Sequence, residues 1–183
     1  MATDAQADGI VTLGGGSATG LGKAIAHELG IRQVAVPTTY AGSEATPIYG
    51  ITGEHKRTGR DKRVLPKVVI YDPALTVSLS AHTSGTTGFN ALAHCVEALY
   101  APWANPVSSL FALEGLTRLA ASLPLVVTAP TDMEARSDAL YGAYLAGSAL
   151  AVAGTALHHK LCHVLGGTFG LDHGEVNAVL LPY

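Results

Sequence analysis

The chain has 183 residues, 48% of them hydrophobic and 14% charged, with a formal net charge of −3. That composition supports a substantial buried core in one or two domains and describes a soluble globular protein. Its 11 basic residues make no continuous run beyond Lys56-Arg57 and the loose cluster from Arg60 to Lys67, which excludes a strong nucleic-acid footprint and reads as a solvated loop.

At the start, Met1 to Gln6 has neither a basic beginning nor an apolar run, so no secretory signal is expected. Ile10-Val11-Thr12-Leu13 reads as a buried strand, Gly14-Gly15-Gly16-Ser17 as the turn after it, and Leu21 to Leu29 as a helix closed by Gly30. Val34-Ala35-Val36 and Val68 to Tyr71 supply further strands, and the polar stretch from Gly50 to Lys67 suggests a surface hairpin or an ordered loop. This is α/β material with too few strands for a complete sheet.

After Asp72-Pro73 helical periodicity takes over, and an all-helical domain is expected to begin near residues 73 to 80. Asn105-Pro106 has the form of an N-cap with proline at the first helical position, and Val107, Leu110, Phe111, Leu116, Leu119 and Leu123 then fall on one stripe. Thr131-Asp132-Met133-Glu134 has capping-box spacing and opens the next helix. Ala139 to Leu157 is uncharged and near bilayer length, but its alanines and glycines and the histidines that follow make it a buried core helix. Neither a membrane nor nucleic acid is expected as a partner. Cys95 and Cys162 lack CxxC spacing and stand alone, which fits a reducing cytoplasm.

Two loops offer themselves to a ligand. A strand, three glycines, a serine and a helix can bring backbone N–H groups and a helix N-terminus up to a phosphate, although the same residues can form a merely tight turn. Strict motifs fail here: Ser17 and Ala24 break the Walker pattern, and Thr19 takes the last glycine place of the dinucleotide spacing. Pro37 to Glu44 follows a second strand with hydroxyls at Thr38, Thr39 and Ser43. Loops that follow neighbouring strands point to one crevice, because ligands in open α/β sheets bind beyond the strands' carboxyl ends.

His159 and His163 are spaced to share a helix face, and Asn90 and His94 repeat that spacing upstream, with His173 beyond. Three imidazoles with Asn90 or water could hold a divalent metal, Fe2+ or Zn2+, but a neutral amide one turn before His94 gives a cation no charged partner. Glu97, Asp172 and Glu175 are candidates to orient an imidazole. Without metal, the same histidines donate to an anionic substrate and supply a proton near neutral pH. His27, His55, His82 and His158 receive no role.

These segments resemble the iron-containing alcohol dehydrogenases. The resemblance is carried in order by Gly14 to Ser17, Pro37 to Glu44, Gly88 to His94, His159 to His163, and His173-Gly174 with Asn177 and Leu180 to Pro182. It implies a dehydroquinate synthase-like fold: a partial dinucleotide-binding α/β domain over 1–76, a partial helical domain over 77–183, and NADH or NADPH in the cleft between them. Gly15, Gly16, Ser17, Thr38, Thr39 and Ser43 would meet the cofactor. In metal-dependent members an aspartate would stand at Asn90, with His94, His159 and His173 completing the metal set, while His163 would lie beside substrate and nicotinamide. Asparagine at 90 resembles the branch that reduces the C=C bond of a 2-ene-4-oxo dicarboxylate, taking maleylacetate to 3-oxoadipate in aromatic-compound degradation.

For that reaction His94, His159, His163 and His173 are the expected catalytic set, with Lys160 a further candidate for a substrate carboxylate. The family implies a full-length homodimer, and this chain corresponds to about half of a member. Gly20 stands where the family's glycine motif usually has aspartate. Two other readings are a metal-dependent alcohol dehydrogenase and a truncated, non-catalytic product.

Overall fold

The structure, a computed structural model, describes residues 6–52 and 56–183; His55 lies outside them. β-Branched residues keep strand β1 (Gly9–Gly14) and strand β2 (Arg32–Pro37) extended, and helix α1 (Gly16–Leu29) carries the chain from the end of one to the start of the other. That crossover makes the pair parallel, from Gly9 opposite Arg32 to Gly14 opposite Pro37. The short β5 (Val68–Val69) joins the far side of β2, giving the order β1-β2-β5. Between them β3 (Ile48–Thr52) and β4 (Lys56–Arg60) form an antiparallel hairpin, one of the two forms expected for this polar stretch.

Helix α1 starts five residues before the expected Leu21, at Gly16, so half of the glycine turn is already helical. Intrinsic propensity disfavours this start, since glycine and threonine are weak helix formers. Backbone bonds from Thr38 N–H to Gly14 O (3.1 Å) and from Thr19 N–H to Gly15 O (3.1 Å) hold the first turn in place. Gly30 ends the helix with a left-handed φ of 69°, as expected.

The helical part comprises α2 (Ala81–Ala98), α3 (Pro106–Thr128), α4 (Met133–Ala153), α5 (Leu157–Phe169) and α6 (His173–Leu180). Asn105 caps α3 with Pro106 in first position and Ser108 closing a capping box. For α4 the cap is Asp132, accepting from Glu134 N–H and Ala135 N–H, one residue later than the Thr131 spacing predicts. A carboxylate outcompetes a neighbouring hydroxyl opposite the positive end of a helix.

The stripe expected on α3 is half wrong. Leu119 and Leu123 are buried, but Val107, Leu110 and Phe111 are exposed, and the buried face runs instead through Ser108, Ala112, Gly115, Leu119, Ser122 and Val126. Close approach decides it: a Cβ on Gly115 would lie 3.0 Å from Cys95 Sγ and 3.2 Å from Gly142 O. Three helices this near one another leave room only for small side chains, and the core is accordingly rich in alanine, among them Ala91, Ala112, Ala139, Ala143 and Ala146.

By length and composition α3 is apolar enough to cross a membrane, and the bent pair of α4 and α5 would also qualify. In the middle of α3, however, Arg118 bonds Glu114 (2.8 Å) and Asp138 on α4 (3.1 Å), charges that are costly in lipid. The uncharged stretch from Ala139 divides at Gly154 into the buried end of α4 and the start of α5.

The loop after β2 is locked into the helical core. Tyr40 is fully buried there, and its hydroxyl accepts from Arg136 Nη1 (2.9 Å) and donates to Thr76 Oγ1 (3.1 Å). Arg136, also fully buried, donates further to Thr76 O (2.6 Å) and Pro130 O (2.6 Å). Gly42, with φ of 75°, lies against α4 so closely that a Cβ would meet Ala143 O at 2.6 Å, and a Cβ on Gly147 would overlap the Gly42 carbonyl.

Gly147→Ala should therefore cost at least about 2 kcal/mol of stability, because backbone rather than a flexible side chain must move. Gly20→Ala, where nothing lies within 4 Å on α1, should stabilise by up to about 1 kcal/mol. Urea unfolding of both variants checks the contrast.

Candidate active site

Two clusters meet beyond the carboxyl ends of β1 and β2. In the first, Gly15 is the N-cap of α1 with no side chain to bond the helix start, and Gly16 and Ser17 follow in an exposed first turn that carries no acidic residue. Free N–H groups and the positive end of a helix dipole thus face outward together. A Cβ at Gly15 would come 2.8 Å from Thr39 Cγ2, so the turn and the Pro37–Glu44 loop touch directly.

Ser43 Oγ is buried with no hydrogen-bond partner among the described residues, 3.9 Å from where a Gly16 Cβ would stand. Lys23 pins this loop from below: its buried ammonium donates to the carbonyls of Ser43 (2.6 Å), Thr46 (2.7 Å) and Ile48 (2.8 Å). Burial draws the Lys23 pKa down to about 8, against the opposing pull of Glu44. Gly15, Gly16, Ser17, Thr38, Thr39 and Ser43 are all contributed by these two touching loops. Gly20, one turn on, is open and offers no side chain.

The second cluster is imidazole-rich. α2 supplies the buried Asn90 and His94, α5 the buried His159 and the exposed His163, and α6 the exposed His173. Ring centroids of His94 and His159 lie 4.7 Å apart, those of His159 and His173 5.8 Å, and those of His163 and His173 5.3 Å. Asn90 joins the clusters, because its amide donates to the carbonyl of Ala41 in the first loop (3.4 Å).

Glu97, one turn after His94 and fully buried, sets the polarity of this group. Its Oε2 lies 2.6 Å from His159 Nδ1, and its Oε1 accepts from His159 N–H at 3.1 Å. Burial would raise the carboxyl, but hydrogen bonds from the His159 ring and from the Ala156 and His159 backbone outweigh it and hold the pKa at about 2. An ionised carboxylate only accepts, so His159 carries its proton on Nδ1 and leaves Nε2 toward the cluster. Burial, then the neighbouring imidazoles, pushes His94 well below the ordinary histidine range and keeps it neutral.

Asn90 Oδ1, His94 Nδ1 and His159 Nε2 are buried without a hydrogen-bond partner among the described residues, so each can take a hydrogen bond from a ligand or a water. They do not fit a resident divalent ion. Among the described residues no three His, Cys, Asp or Glu side chains are placed to hold one. Glu97 is spent on His159, Asn90 is neutral, and His173 Nε2 already receives a hydrogen bond from Asn177 (3.2 Å).

Other polar side chains near the cluster are placed as follows. Asp172 caps α6 through Glu175 N–H, and Glu175 pairs with His82 (3.1 Å). Lys160 is exposed on α5. His158, given no role, bonds Asn177 (2.9 Å), and Lys23, absent from the expected site residues, positions the first loop.

The model of the Fe-containing alcohol dehydrogenase family, C-terminal, matches residues 84–183, and that of iron-containing alcohol dehydrogenase matches residues 1–73. Maleylacetate reductase of Sphingobium indicum is 55% identical over 100% of this chain and 52% of its own length. The crystal structure of maleylacetate reductase from Rhizobium sp. strain MTP-10005 superposes with a TM-score of 0.96 at 54% identity, over 100% of this chain and 52% of that one. Sulfoacetaldehyde reductase from Bifidobacterium kashiwanohense, solved in complex with NAD+, gives a TM-score of 0.87 at 26% identity, over 96% of this chain and 53% of that one. The chain spans about half the length of the curated relatives it matches.

Glu97 is ionised in the folded protein down to about pH 2, against an ordinary value of 4.5, so its stabilisation is complete above pH 4.5 and lost as pH falls toward 2. Glu97→Gln should lose about 2 kcal/mol at pH 7, a figure that allows for solvent screening. Denaturant unfolding between pH 7 and pH 3 should show the gap to the parent protein narrowing below pH 4.5.

Proposed function

Because the chain belongs to the iron-containing alcohol dehydrogenase family, we propose that it carries the centre of an NAD(P)H-dependent maleylacetate reductase, which makes 3-oxoadipate in aromatic-compound degradation. The observation that carries this reading is the Asn90 amide, which binds the phosphate-type loop at Ala41 while standing, uncharged, in the imidazole cluster. A dinucleotide fits the first cluster: uncapped N–H groups at Gly15, Gly16 and Ser17 suit a pyrophosphate, and the unpaired Ser43 Oγ beside Thr38 and Thr39 is a ready donor. NADH or NADPH, when bound, supplies a hydride to one carbon of the substrate's C=C bond.

The chain's own groups handle the charge that follows. As the carbon accepts hydride, the electron pair of the double bond moves to the conjugated ketone oxygen, and a proton must reach the neighbouring carbon. Neutral His94 is a donor that keeps its form across physiological pH, and it stabilises the developing enolate oxygen. His159, backed by Glu97, balances an added proton on Nε2 and can pass it on. His163 and His173, at the open side, meet the substrate's carboxylates. Asn90 preserves the neutrality that an anionic substrate requires, where a carboxylate would repel it.

We further propose that the whole protein is a homodimer, as the family resemblance implies. Free, buried Cys95 and Cys162 suit a reducing cytoplasm.

NADH oxidation on addition of maleylacetate, followed with and without chelator and paired with metal analysis, tests the reading. Turnover should survive chelation with no stoichiometric metal. Activity that follows one bound iron or zinc would replace it with a metal-dependent alcohol dehydrogenase. A folded protein without turnover would favour a non-catalytic product.

A further inference from the structure

We infer that Lys23 is a positioning residue for the dinucleotide and that binding selects its protonated form, because only an ammonium has a hydrogen for each of the carbonyls that hold Ser43 against the glycine turn. The consequence rests on the dinucleotide reading of the first cluster, and the geometry does not.

Lys23 stands on α1, about two turns after the N-cap Gly15, with its side chain buried. The segment after Gly42 folds round its Nζ and turns the carbonyls of Ser43, Thr46 and Ile48 inward to 2.6, 2.7 and 2.8 Å, with Thr46 Oγ1 at 3.0 Å. A neutral amine has two hydrogens and a lone pair, so one of those carbonyl oxygens would face the lone pair at hydrogen-bond distance. That contact is repulsive, and the segment would have to open. Ser43 links this cradle to the ligand side. Its carbonyl takes the ammonium, while its hydroxyl, buried without a partner among the described residues, lies 3.9 Å from where a Gly16 Cβ would stand.

The oxygens bonded to Nζ are carbonyls and one hydroxyl, so the proton there is the lysine's own. Burial brings its pKa down to about 8, within reach of ordinary conditions. Around it, the buried Glu44 pulls the value up and accepts from the Tyr71 hydroxyl (2.9 Å). One turn on, His27 lies against Tyr49 of β3, with ring centroids 4.5 Å apart, and 3.8 Å from Asp61, which is itself paired with Arg63 (2.6 Å). A ligand that needs the protonated form binds fully below the pKa of the free protein and loses affinity as pH rises through it. The negative charge of a dinucleotide acts in the same direction, since it favours the ammonium.

The test is titration of the protein with NADH between pH 7 and pH 10, by fluorescence and by calorimetry in buffers of different ionisation enthalpy. Kd should rise about tenfold from pH 7 to pH 9, and each NADH should take up about one proton at pH 9 and about none at pH 7. Lys23→Met, similar in length but without donors, should bind more weakly at pH 7 and lose the pH dependence, with folding checked by circular dichroism. Glu44→Gln should keep the transition, at or below the midpoint of the parent protein. A transition that survives in Lys23→Met, or that disappears in Glu44→Gln, overturns the proposal. Affinity flat with pH in the parent protein, without proton uptake, overturns it alone and decides even if a variant fails to fold. No binding of NADH at pH 7 overturns the dinucleotide reading and this inference with it.

Discussion

The loop after β2 can serve two masters only because Gly42 and Gly147 let backbone touch backbone. With no Cβ on either residue, the Pro37–Glu44 segment lies directly on α4, and Tyr40 drops into the helical core to meet Arg136. The same loop presses Thr39 against Gly15 on its other side. A few ångströms of extra separation at α4 would be transmitted through this short, doubly held segment to both the glycine turn and Asn90. The alanine-rich packing of α2, α3 and α4 serves the same end, since close helices keep the residues they display at fixed distances.

On that frame the chemistry is set by where charge has been left out. Glu97 is the buried carboxylate beside the imidazoles, and it faces His159 Nδ1 rather than a cation. Position 90, which touches the loop, is an amide. His94 stays neutral because it is buried among other imidazoles. The result is a group rich in donors and poor in negative charge, the character that the proposed dicarboxylate substrate and its enolate would require.

Much of this was legible in the chain. The glycine turn, the hydroxyl loop and the histidine spacing each follow from local pattern, and Asn105-Pro106 and Gly30 mark helix ends by rules that hold wherever they occur. What escaped was set by distant residues. The start of α1 at Gly16 depends on Thr38, and the exposed Val107, Leu110 and Phe111 on α3 mislead because core contact there selects for smallness rather than apolarity. Lys23 looks like a surface polar residue in sequence, yet it is buried by partners more than ten residues away, a pairing that no periodicity reveals.

The central claim is that the glycine turn and the imidazole cluster form one site, joined through Ala41 and Asn90. An NMR titration of the protein with NADH tests it directly. Binding should shift the backbone signals of Gly15 to Ser17 and, together with them, the ring signals of His94 and His159. Shifts confined to the glycine turn, with the imidazoles unmoved at saturation, would contradict the account.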